Sequence, residues 1–169
     1  MLSRRGFTIV ELLIVIVVIG ILAAITIVAF NGVQNKANDA AVQSDLATVG
    51  KKMAAFNAEN TRYPVNVTEL DSLQLRVSKS AYNTNRKLNF SYCTNSDRSG
   101  FAIGGISKSG KQFYVSSTTS VKEYDPALLN DGNREDVGIA CGDLLTGGSR
   151  LQGGYYSVDT TPWRSWTGI

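Results

Sequence analysis

The sequence predicts an α+β fold. A long N-terminal helix, membrane-spanning in its first half, packs on a small antiparallel β-meander, and an irregular C-terminal region follows. Three observations predict this. The run from Leu12 to Phe30 is apolar and uncharged. Beyond it, Val42, Leu46, Val49, Met53 and Phe56 recur at alternating spacings of four and three, the stripe of an amphipathic helix. From Leu88 onward, short alternating segments are punctuated by Gly and Ser turns, the pattern of antiparallel strands.

The first element begins with a short leader, residues 1–6, which carries Arg4 and Arg5 and ends at Gly6. The uncharged run that follows is about 19 residues, against about 20 needed to cross the hydrocarbon core. The two arginines ahead of it favour a cytoplasmic N-terminus and put everything after Asn31 outside the membrane. One carboxylate, Glu11, sits just inside the apolar segment. A charge near the bilayer centre costs on the order of 2.5–3.5 kcal/mol, so such a residue is functional by default and needs a positive partner. Cleavage after Gly6 would create one, the α-amine of Phe7. Glu11 of one copy could then neutralise the amine of a neighbour offset along a shared axis.

The stretch Arg4-Arg5-Gly6-Phe7-Thr8-Ile9-Val10-Glu11-Leu12-Leu13 resembles the class III signal of type IV pilins and pseudopilins. The resemblance implies a pilin-like ladle and cleavage between Gly6 and Phe7 by a membrane aspartyl prepilin peptidase, which methylates the new amine. It implies assembly of the shafts into a filament, with Phe7 and Glu11 as the assembly residues. The implied partners are copies of the chain itself, the prepilin peptidase, a membrane assembly platform, and membrane lipid before assembly. The expected location is the cytoplasmic membrane as a single-pass protein, then an extracellular pilus serving adhesion, motility or uptake. Two alternatives compete with a pilus subunit. One is a pseudopilin of a type II secretion or competence system. The other, from a different class, is a monomeric membrane-anchored surface binding domain in which Glu11 merely sits at the interface. A secretory signal fits poorly, because its cleavage site follows the apolar run, and Ala23-Ala24 lies inside it.

The remaining elements follow in order. Residues 7–30 form the filament-core half of the helix and 31–60 its amphipathic half, ending near Asn60 ahead of Pro64. Many pilins pair a glycine like Gly20 with a proline eight residues on, and the shaft melts between them. Here that position is Val28, and both a melted and a continuous shaft stay open. Residues 61–87 connect helix to sheet, with a short helix expected over Thr68–Leu73. Residues 88–120 hold the sheet, with strands at Leu88–Tyr92, Phe101–Ile106 and Gln112–Ser116. A turn at Ser107–Gly110 gives Gly110 a positive φ. Phe101, Ile103, Phe113 and Val115 are expected against the helix stripe. Residues 121–169 read as irregular, with Gly147-Gly148 and Gly153-Gly154 as punctuation. Related filaments staple this region with one disulfide. Cys93 and Cys141, outside the membrane in an oxidising space, are the candidates, with two reduced buried thiols as the alternative. The bridge would close about 49 residues and contribute roughly 4 kcal/mol.

Catalysis is not expected. Histidine is absent, which removes the commonest general base and metal ligand. No phosphate-binding glycine loop, zinc spacing or cofactor motif is present, so no catalytic residue, metal or cofactor is assigned. The net charge of +3 falls to about +1 once Arg4 and Arg5 leave with the leader, too little for a nucleic-acid footprint. Lys51-Lys52 and Arg86-Lys87 read as solvated basic pairs. Asp125, Asp131, Glu135 and Asp136 form an acidic cluster, read as a solvated loop rather than a calcium site. Tyr155, Tyr156, Trp163 and Trp166 read as core or subunit contact. Asn66-Val67-Thr68 and Asn89-Phe90-Ser91 match the glycosylation pattern, at a frequency that chance supplies in a chain rich in these residues.

Overall fold

The structure is a computed structural model of the chain and describes residues 7–83, 89–124 and 148–149. It divides into two units, one up to Lys36 and the other from Ala37 onward. Helix α1 runs over Ile9–Asn60.

Within the first unit α1 is apolar on every side, and its large side chains, Ile9 to Val33, are all exposed. A helix that is hydrophobic all round belongs in lipid or in a bundle of its own kind. The segment is long and apolar enough to cross a membrane. Its polar groups are handled locally. The Thr26 hydroxyl bonds the carbonyls of Leu22 and Ala23, 3.0 Å to each. The helix continues without a break from Gly20 through Val28. Val28 retains the backbone N–H that a proline would remove, so the intrahelical ladder stays complete.

In the second unit α1 buries Val42, Leu46, Val49 and Met53, the expected stripe. Phe56 is half-buried, with the Arg62 guanidinium 5.8 Å above its ring. Past Asn60 the chain turns at Thr61, whose φ is +56°, and whose N–H bonds the Asn57 carbonyl at 2.8 Å. Helix α2, Val67–Ser72, falls where a short helix is expected. Asn66 caps it, its Oδ1 accepting from the Glu69 N–H at 2.9 Å. Lys52 of α1 donates to the carbonyls of Leu73 and Gln74, 2.7 Å each, where α2 ends. One member of the Lys51-Lys52 pair is thus a cap on orphan carbonyls rather than a solvated charge. A short 3-10 turn, Lys79–Ala81, precedes the sheet.

The strands are β1 (Phe90–Asn95), β2 (Phe101–Ile106), β3 (Gln112–Ser116), β4 (Lys122–Tyr124) and β5 (Gly148–Ser149). They pair antiparallel in the order β4-β3-β2-β1-β5. The first three form the expected meander, and Gly110 closes the β2–β3 turn with φ +92°. Two differences from the sequence reading stand out. β1 runs past the expected end at Tyr92 to Asn95, and Leu88, the expected start, lies outside the described residues. β4 and β5 lie in the stretch read as irregular, because three and two residues are too few to show alternation.

Phe90, Tyr92, Phe101, Ile103, Phe113 and Val115 join the helix stripe in one core. Each such side chain contributes roughly 1.5–3 kcal/mol on burial. Gly105 allows the close approach. A Cβ there would lie 2.9 Å from Tyr82 Cε1 and 3.2 Å from Val42 Cγ1. The Tyr92 hydroxyl donates to the Pro64 carbonyl at 2.7 Å, tying the connecting loop to β1.

Candidate assembly site

The site is built on the first turn of α1. A helix start leaves backbone N–H groups without intrahelical partners. Thr8 precedes Ile9, and its hydroxyl oxygen accepts from the Glu11 N–H at 3.3 Å. The Glu11 carboxylate reaches back, and its Oε2 accepts from the Thr8 N–H at 2.8 Å and from the Thr8 hydroxyl at 2.8 Å. This is a reciprocal capping box, with Thr8 as N-cap and Glu11 three residues on. The carboxylate also lies at the positive end of the helix dipole. Glu11 is therefore held by its own chain, and both of its carboxylate contacts converge on one oxygen.

Thr8 is the residue that sequence reasoning missed. Its signal was present: Thr-x-x-Glu immediately before an apolar run is a helix-start signature. Phe7 sits one residue ahead and is 79% exposed. Gly6, the other half of the expected cleavage junction, lies outside the described residues. The structure thus brings Thr8 and Glu11 together, with Phe7 adjacent in the chain.

The other candidate positions divide in the same way. Cys93 is buried on β1, and Cys141 lies outside the described residues. So do the acidic cluster Asp125, Asp131, Glu135 and Asp136, the aromatics Tyr155, Tyr156, Trp163 and Trp166, and the pair Arg86-Lys87. Asn89 and Ser91 are buried, which leaves no room for a glycan on Asn89. Among the described residues, no group of three His, Cys, Asp or Glu side chains is gathered to hold a metal.

The second unit has its own polar clasps. Glu69 accepts two bonds from the Arg62 guanidinium, at 2.9 and 2.8 Å, and one from the Val65 N–H at 2.8 Å. The Arg62 bonds hold its carboxyl below the usual carboxylate range. Asp45 of α1 accepts from the Ser78 N–H at 2.6 Å and from the Tyr82 hydroxyl at 3.2 Å. Burial pushes the Asp45 carboxyl up, and those bonds only partly offset it.

Residues 1–27 match the family model of the prokaryotic N-terminal methylation motif. Over 120 residues the chain is 31% identical to the type IV wide pilus major component of Thermus thermophilus, a match covering 70% of this chain and 92% of that one. The chain belongs to the type IV pilin and pseudopilin family. It is also 35% identical over 76 residues to the type II secretion system core protein G of Klebsiella michiganensis, covering 45% of this chain and 54% of that protein. With the core protein G of Escherichia coli it shares 33% identity over 71 residues, 42% of this chain and 49% of that protein. The chain spans about half the length of these secretion-system relatives. Members of this family are structural subunits, so this pilin-family chain is not an enzyme. Membership implies processing by a prepilin peptidase and assembly into a filament.

Proposed function

We propose that this chain is the structural subunit of a type IV pilus. In this reading the peptidase cuts after Gly6 and methylates the amine of Phe7. The subunit waits in the cytoplasmic membrane with its apolar segment in lipid, and an assembly platform then draws it into the filament. The end state is an extracellular pilus on the cell surface. No covalent bond forms between subunits. Lipid is as apolar as a bundle of shafts, so the gain comes from close packing and from satisfying polar groups. The principal polar group is Glu11, whose carboxylate neutralises the Phe7 amine of a neighbouring copy and so sets the axial register. A charge-assisted bond is roughly twice as strong as a neutral one, so the amine adds to what Thr8 already provides. The Cys93–Cys141 bridge fits the same reading as a staple on the exposed part of the subunit.

One observation favours a pilus over a pseudopilus. The match to the Thermus pilus component covers 70% of this chain. A stretch that long in 169 residues has to contain β1 to β3. The matches to core protein G are too short to require the sheet. Their number and identity support the second reading, a pseudopilin of a secretion system.

Two measurements test the proposal in sequence. Tandem mass spectrometry of the purified protein should find N-methylated phenylalanine at position 7, and an intact Met1 would reduce the chain to a plain membrane anchor. Electron microscopy of sheared surface material should then show long fibres containing the chain. Their absence, with methylated protein retained in the envelope, would favour the pseudopilin.

A further inference from the structure

A cleft of about 420 Å³ opens in the second unit, between α1 and the loop that joins β3 to β4. That volume falls within the roughly 300–1,000 Å³ of small-molecule sites. Its two walls differ in chemistry. On the α1 wall Ala47, Gly50 and Ala54 keep the surface low, and only Lys51 carries a charge. Gly50 lets the sheet come close, since a Cβ there would sit 3.0 Å from Val115 Cγ2. Val115 and the packed pair Tyr63 and Phe101, with ring centroids 4.8 Å apart, form an apolar floor. The opposite wall is Ser116 to Ser120, five consecutive hydroxyl residues.

The hydroxyl wall is braced from within. Ser116 and Thr119 exchange backbone bonds at 3.0 and 3.4 Å, and the Ser117 N–H bonds the Phe101 carbonyl at 3.0 Å. The Ser117, Thr119 and Ser120 hydroxyls and the Lys51 ammonium, by contrast, have no hydrogen bond or ion pair among the described residues. The cleft thus presents a preset loop with uncommitted hydroxyls, an apolar floor and one positive charge. No carboxylate lines it, so a cation is repelled and an anion is drawn to Lys51. A purely apolar ligand would leave the hydroxyls unpaired. Nor does the second unit offer a plug from another copy, because the exposed large hydrophobics of the described residues all lie between Phe7 and Val33. We propose that this cleft binds an acidic carbohydrate. The apolar face of the sugar ring lies over Val115, its hydroxyls pair with the Ser117–Ser120 wall, and its carboxylate meets Lys51. The proposal rests on the second unit alone and holds for a pilus or a pseudopilus subunit.

Saturation-transfer NMR of the full-length protein in a sugar-free detergent, with digalacturonate as the probe, tests this. The sugar ring protons should take up saturation, and added salt should weaken the effect. Lys51→Gln should bind roughly fivefold more weakly and lose most of the salt dependence. Ala54→Trp, at an exposed position of α1 that lines the cleft, should abolish binding and leave the melting temperature unchanged. Absence of transfer to digalacturonate, equal binding of neutral galactobiose, or unchanged binding in either variant would overturn the assignment. So would a dimer of the unaltered chain that Ala54→Trp dissociates, which would make the cleft a contact between copies.

Discussion

Thr8 and Glu11 form a reciprocal capping box at the start of α1. The Thr8 hydroxyl accepts from the Glu11 N–H and donates to the Glu11 carboxylate, so removing it breaks both of these bonds and leaves the carboxylate only the Thr8 N–H. Thr8→Val keeps the branched shape and deletes the oxygen. It should cost the helix start about 1 kcal/mol. In detergent, amide exchange at Glu11 should speed up while exchange beyond the second turn stays unchanged. Unaltered exchange at Glu11 would show that the box is not formed. Asp45 and Glu69 make opposite contributions to acid stability. Burial raises the Asp45 carboxyl, so the folded state holds that proton more tightly than the unfolded chain, and stability falls as pH rises from about 3.8 through the raised value. Arg62 lowers the Glu69 carboxyl, so its stabilisation is present above about 4.5 and lost as pH falls through the lowered value. Thermal melts across the acid range should therefore shift in opposite senses for Asp45→Asn and Glu69→Gln. Equal shifts would contradict the assignment.

Between elements the decisive contacts are those where backbone meets side chain. Gly105→Ala would push a methyl group to 2.9 Å from Tyr82 and 3.2 Å from Val42. Overpacking of this kind costs roughly 1–3 kcal/mol, read as a lowered melting temperature of the full-length protein in detergent. A wild-type melt would mean that α1 and the sheet are not packed as described. The elements differ in how far the sequence revealed them. The helix stripe Val42 to Met53 and strands β2 and β3 were legible, because each has enough residues to display its period. α2 was legible from Pro64 and the residues after it. The close approach at Gly105 was not, since its neighbours Tyr82 and Val42 are distant in the chain. Lys52 read as a solvated charge because nothing local marks the carbonyls it caps. β4 and β5 carry too few residues for any pattern, and their pairing is set by the sheet they join.

For the molecule as a whole, the first unit exposes apolar side chains all round while the second encloses its own core. In the proposed function, lipid and then other copies of the same segment cover the first unit, so that membrane residence and polymerisation are successive states of one surface. The exposed apolar segment itself was readable from the uncharged run Leu12 to Phe30. The share of the capping box in holding the Glu11 carboxylate was legible only as the Thr-x-x-Glu signature of a helix start. The central claim is that Glu11 meets the amine of a neighbour, and counting fibres in the sheared fraction of cells expressing Glu11→Ala tests it most directly. The account predicts a subunit still cleaved and methylated at Phe7 but a severe loss of filaments. Fibres as abundant as those of the unaltered chain would contradict it.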